Sequence, residues 1–178
     1  MRLFGSALLR NATLTATAAG AVLGLVAAPA IACPEPHEVE GPTFTYDAAY
    51  ATAKTRVAVI GNAGRTTVRL AVSGLPASAA GKTLGAHVHT RACGPDAADA
   101  GPHYQAPGAA PGTPLHDREI WLALDVGEDG GADAEAQVPW TVAEGAAGSV
   151  VVHAGPTDHR TGDAGARLLC TTVPFGGH

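Results

Sequence analysis

Basic side chains are scarce in this chain. Eleven Lys and Arg stand against sixteen Asp and Glu in 178 residues. Two of the eleven, Arg2 and Arg10, lie in residues 1–32, which hold no acid, so the remainder carries nine cations against sixteen anions, a net charge of −7 with His neutral. An acidic protein so poor in cations is unsuited to a polyphosphate backbone, which excludes nucleic acid as a partner. Helical periodicity is missing from the chain after its N-terminal segment. Absent as well are internal repeats, long blocks of like charge and coiled-coil heptads. That leaves about 145 residues for one domain around one core.

What is there begins with an export signal. Arg2 and Arg10 form a positive n-region, residues 12–30 are an apolar run of small side chains, and "APA" and "AIA" end as cleavage signals at Ala30 and Ala32. The pattern predicts a secretory signal peptide over residues 1–32. A membrane anchor has the right length, but this run is rich in Ala and Thr and closes on a cleavage signal. Cys33 follows at once, and "AIAC" resembles a bacterial lipobox with Ala30 where leucine is usual. Two readings stand: lipid attachment at Cys33, tethering the protein to the outer face of the membrane, or cleavage at Ala30 or Ala32, secreting it. Residues 33–42 read as a short linker and residues 43–178 as the folded domain.

The domain reads as all-β. "RVAVI" (56–60) is a β-branched run closed by the turn signal "GNAG". "TTVRLAV" then alternates, with Val68, Leu70 and Val72 on one face and Thr67 and Arg69 on the other. "GAHVHT" is a third strand, and "EIWLALDV" turns through "GEDGG" into "ADAEAQVPW", where Ala134, Ala136, Val138 and Trp140 alternate with Glu135, Gln137 and Pro139. "SVVVHA" and "ARLLCTTVPF" complete the set. Short strands punctuated by Gly and Pro predict a sandwich or a Greek-key barrel. The low-complexity stretch "APGAAPGTP" (106–114) reads as a surface connection.

Histidine is concentrated where the chemistry should be. Side chains alternate along a strand, so His87 and His89 in "HVH" project to one face and can approach a single ion. His103 follows in "GPHY" and His153 ends "SVVVH". Four imidazoles favour copper or zinc, and their number suits the tetragonal preference of Cu(II).

The order H-V-H, Cys93, G-P-H-Y, V-V-H and "GDAGARLLC" resembles the copper/zinc superoxide dismutases in their exported bacterial form, over residues 43–175. The resemblance implies an eight-stranded Greek-key β-barrel and dismutation of superoxide at copper. It implies that His87, His89 and His153 ligate copper and that His103 bridges copper and zinc. It makes Arg167 the guide for the superoxide anion at the mouth of the site. It also implies a disulfide between Cys93 and Cys170, fitting an oxidising compartment, which leaves Cys33 as the odd cysteine.

The zinc half departs from the family pattern. Between His103 and the next strand there is one further histidine, His116, with Asp117 and Glu119 nearby. Three ligands fall short of a closed structural zinc site, so the chain reads as a copper-only member. Glu119 then has two readings: a hydrogen-bond acceptor for the His103 ring, or a solvated residue opening a strand. Asp158 is placed in a similar supporting role. His37, His159 and His178 fall outside the pattern, and Trp121 and Trp140 read as packing residues. Two rivals remain beside the enzyme: a non-enzymatic copper-binding protein on the same scaffold, and a structural β-module with incidental histidines. Oligomeric state is left open.

Overall fold

The computed structural model describes residues 36–176. Among the described residues, two antiparallel sheets enclose the core between them. The first is ordered β1-β3-β4-β7, from β1 (His37–Gly41), β3 (Lys54–Asn62), β4 (Arg65–Ser73) and β7 (Ala132–Val138). The second is ordered β2-β9-β8-β5-β6, from β2 (Phe44–Thr45), β5 (Thr83–His89), β6 (Trp121–Asp125), β8 (Ser149–His153) and β9 (Arg167–Thr172). The chain passes from the first sheet to the second after β4, returns between β6 and β7, and passes back again before β8, as Greek-key connections do.

The all-β expectation holds, and all seven strands read from the sequence are present. β1 lies within the segment read as a linker, and pairs with β3 from His37↔Val59 to Gly41↔Thr55. Its sequence, "HEVEG", carries one β-branched residue between charges, too short a pattern to register as a strand. The export signal, Cys33 and His178 lie outside the described residues.

Local chemistry explains the elements. β3 and β4 meet at the pair Asn62↔Arg65, so the loop is only Ala63-Gly64, with φ of 48° and 80°. Two positive φ values make the type I′ turn whose twist matches the flanking strands. Alternation then buries Val57, Val59, Val68, Leu70 and Val72 while Arg56 and Arg69 face water. From the other sheet Leu84, Ala86, Val88, Leu124, Val150, Val152 and Leu169 close the core.

β5 and β8 break the alternation, because both of their faces are covered. Their inner face is the core. Their outer face, bearing His87, His89, Val151 and His153, lies beneath the loops that follow β5 and β8.

Candidate metal centre

His87 and His89 stand two apart on β5, and both are fully buried. β8 runs beside them with His87↔Val151 in register, so His153, two residues on from Val151, comes up on the same face. His103 arrives from the loop, which runs against the end of β5: His89 and His103 form an isolated bridge, and Tyr104 N donates to Val88 O at 2.8 Å. The donor atoms of these four imidazoles lie within 4.8 Å of one another. An ion about 2 Å from each donor requires separations of roughly 3–4 Å, so the four imidazoles stand close to the span that one ion needs.

Each ring has one nitrogen fixed by a hydrogen-bond partner. His87 Nε2 faces Thr157 Oγ1 at 2.8 Å, His89 Nδ1 faces Gly101 O at 2.9 Å, His103 Nδ1 faces Glu119 Oε2 at 2.8 Å and His153 Nδ1 faces Gly165 O at 3.1 Å. The opposite nitrogens of the three buried rings, His87 Nδ1, His89 Nε2 and His153 Nε2, have no partner. An unpaired buried polar group costs about 1–3 kcal/mol, and three such atoms in one small cluster mark a binding site. Burial, with Arg167 and the neighbouring imidazoles contributing, pushes His87 down to about 2, His89 to about 3 and His153 to about 4. The rings are therefore neutral at physiological pH, the protonation state a metal requires.

Glu119 is the hub behind His103. It is 4% exposed, and its carboxylate accepts from His103 Nδ1 and Trp121 Nε1 on Oε2 and from Gln105 Nε2 on Oε1. Burial alone would raise its carboxyl pKa, but the three hydrogen bonds outweigh it and hold the group below the ordinary range. Of the two sequence readings of Glu119, the solvated one is overturned, since the strand begins two residues later and the carboxylate turns inward.

Arg167 belongs to the same face through an irregularity. β8 and β9 run in register as far as Val152↔Leu169, then shift so that His153 pairs with Arg167. A bulge of this kind re-aims side chains. Here it sets Arg167, rather than Leu168, opposite His153. The guanidinium is anchored to Ala97 O at 2.5 Å and Gly101 O at 2.7 Å. Gly101 O is also the acceptor for His89, so the cation and one ring share an anchor.

The roof over this face is held down at several points. Cys93 and Cys170 are joined, with Cα atoms 5.8 Å apart, and Cys170 packs with Val151 and Ala100 in a small cluster of its own. Ser149 Oγ donates to Arg91 O at 2.7 Å, and Cys93 N to Thr172 Oγ1 at 3.1 Å. On the other side the segment after β8 docks against Gly85, where a Cβ would sit 2.5 Å from Thr157 Oγ1.

Two expectations need correction. Asp158 does not support a site histidine: its carboxylate closes its own turn, accepting from Arg160 N at 2.8 Å and Thr161 N at 2.9 Å. Thr157, one residue earlier, does. Trp121 is not simply a packing residue: it is the cross-strand partner of His87, its ring lies 5.8 Å from that imidazole, and its N–H donates to Glu119 at 2.7 Å. His116 stays out of the cluster, exposed and 3.3 Å from Asp117. His37 and His159 are exposed and lie outside the cluster.

Comparison with known proteins agrees with the geometry. Residues 52–173, well over half of the chain, match the family model described as copper/zinc superoxide dismutase (SODC). No curated protein matches the chain.

Proposed function

The chain belongs to the copper/zinc superoxide dismutase family, and we propose that it is a copper-dependent superoxide dismutase of the extracytoplasmic space that works without zinc. The observation that carries this reading is the convergence of three orphaned ring nitrogens and His103 beside an anchored arginine. Neutral, nitrogen-only donors fit copper in both of its oxidation states.

Copper bound there supplies one-electron chemistry, by which one superoxide is oxidised to O₂ and a second, with two protons, is reduced to hydrogen peroxide. The protein's residues do the rest. His87 Nδ1, His89 Nε2 and His153 Nε2 would hold the ion. Thr157, Gly101 and Gly165 fix those rings by accepting from their other nitrogens. Glu119 keeps a proton on His103 Nδ1 and so leaves Nε2 as the ring's free donor. His103 is 20% exposed where the other three are at most 4%, so it is the ring through which a proton from water reaches the site. Arg167 supplies the cation that draws a small anion toward a protein of net negative charge.

The disulfide and the N-terminal pattern support an oxidising location outside the cytoplasm. Whether Cys33 carries lipid is a matter for mass analysis of the mature N-terminus. The activity is tested by measuring dismutation with copper alone, zinc rigorously excluded and metal content checked. A fast rate at about one copper per chain is expected. A full copper load with negligible activity would instead assign a copper-holding protein on the same scaffold.

A further inference from the structure

The partners behind the four rings are of two kinds. Gly101 O, Gly165 O and the ionised Glu119 carboxylate can only accept, so His89, His153 and His103 each carry their proton on Nδ1. Their Nε2 lone pairs are then ready for an ion without any rearrangement. Thr157 Oγ1, 2.8 Å from His87 Nε2, is a hydroxyl, which donates as readily as it accepts. Among the described residues it makes no other hydrogen bond, so its proton is free to turn either way. The closeness of the pair is built into the backbone. Gly85 N donates to Gly155 O at 2.7 Å, docking the segment that carries Thr157 against β5. A Cβ on Gly85 would stand 2.5 Å from Thr157 Oγ1, so only glycine there lets the hydroxyl reach the ring.

We propose that Thr157 is a tautomer switch for His87: in the metal-free protein its hydroxyl donates to Nε2 and the ring keeps its proton on Nδ1, the atom that binds the ion, and on loading the hydroxyl becomes an acceptor. The inference rests on the ligand set of the proposed function and adds which donor must change before that set is complete. With the proton on His87 Nε2, four ring lone pairs would converge, their atoms within 4.8 Å of one another and nothing positive between them. With it on Nδ1, the positive end of one N–H bond faces three lone pairs. That is the better arrangement in a buried cluster, where little water screens the charges. Only His87 can adopt it at no cost in hydrogen bonds. On any other ring the same reversal would leave a carbonyl or carboxylate oxygen facing a bare nitrogen. The exchange conserves protons. On loading, Nδ1 gives one to water, Nε2 takes one up from water, and the ring stays neutral while the hydroxyl rotates about its Cβ–Oγ bond. Thr157 is half-buried, which gives water its access. Three donors are thus preset, and His87 is the one that changes form as it binds.

The test reads the tautomer of each ring from its nitrogen NMR shifts, in the metal-free protein and after loading with Cu(I), which is diamagnetic. In the metal-free wild type all four rings are expected to carry the proton on Nδ1. Cu(I) is expected to move the proton of His87 alone to Nε2. Thr157→Ser keeps a hydroxyl and should reproduce both patterns. Thr157→Asp puts an acceptor-only group behind the ring and should hold His87 in its Nε2–H form before any metal is added. A metal-free wild type with the His87 proton already on Nε2 overturns the switch, and this result needs no variant to fold. So does a folded Thr157→Asp whose His87 keeps its proton on Nδ1. If the wild-type proton starts on Nε2 and all four rings then respond to Cu(I), the switch alone is lost and the ligand set stands. If the metal-free pattern is as expected but Cu(I) leaves His87 unmoved, His87 is not a ligand, and the switch and the ligand set fall together.

Discussion

The outer face of the β1-β3-β4-β7 sheet is open to water, and its charges pair with one another: Arg56 with Glu38 and Glu40, Arg69 with Glu135. The outer face of the β2-β9-β8-β5-β6 sheet is roofed by loops, and there lie His87, His89, His153 and Arg167. Both sheets obey the same two-residue alternation and share one core. They differ in what covers the second face. On the bare sheet a polar side chain stays solvated, so each contact contributes little. Under the roof a polar atom must find a partner or suffer desolvation, so every ring is held by a hydrogen-bond partner and three nitrogens are left for an ion. The roof, more than the strands, turns an ordinary β-face into a metal centre.

The strongest way to break this comparison is to remove a donor under the roof. His153→Ala should abolish tight copper binding and dismutation together, read by copper stoichiometry after dialysis; a full complement of copper in the variant would take His153 out of the ligand set. Next comes pH, acting on the metal-free protein. The unfolded chain protonates its histidines near pH 6.5, whereas His87, His89 and His153 stay neutral in the fold down to about 2, 3 and 4. Between those limits the unfolded state binds more protons, so stability must fall as pH falls. The slope reaches at most about 1.4 kcal/mol per pH unit for each histidine. Thermal melts from about pH 7 down to about pH 4.5 should show a declining Tm, and a level Tm would mean that the roof does not keep the rings from water.

Arg167→Ala should leave copper in place while slowing dismutation about tenfold and flattening its dependence on ionic strength. An unchanged rate would show that the cation anchored at Gly101 does not steer the anion. The smallest effect belongs to the bare sheet. Arg69→Ala breaks an ion pair whose members are 60% and 50% exposed, and should cost at most about 1 kcal/mol with no change in rate. A larger loss, measured by urea unfolding, would erase the contrast between the two faces.

Much of this was legible in the chain. β4 could be read residue by residue because its inner and outer side chains differ in polarity, and the alternation survives in the fold. β1 could not, because its five residues include one β-branched side chain among charges. The four site histidines could be read too, since "HVH" carries its own geometry. Thr157 and Trp121 escaped for a common reason: neither residue type announces a role, and each acquires one from its neighbour in space. Thr157 meets His87 across 70 positions of chain, and Asp158, the chemically louder residue beside it, spends its carboxylate on its own turn.

The sequence by itself determined the seven longer-patterned strands, the shared face of His87 and His89, and the supply of donors, because a two-residue period and a side chain's chemistry are local properties. The tertiary structure alone decided the partners. A register shift at Val152 and His153 brought Arg167 rather than Leu168 to the site. The meeting of two segments at Gln105 and Glu119 turned Glu119 inward toward His103, and the β5–β6 register set Trp121 beside His87. Such choices depend on how strands separated by many tens of residues slide past one another, and sequence periodicity carries no information about that offset.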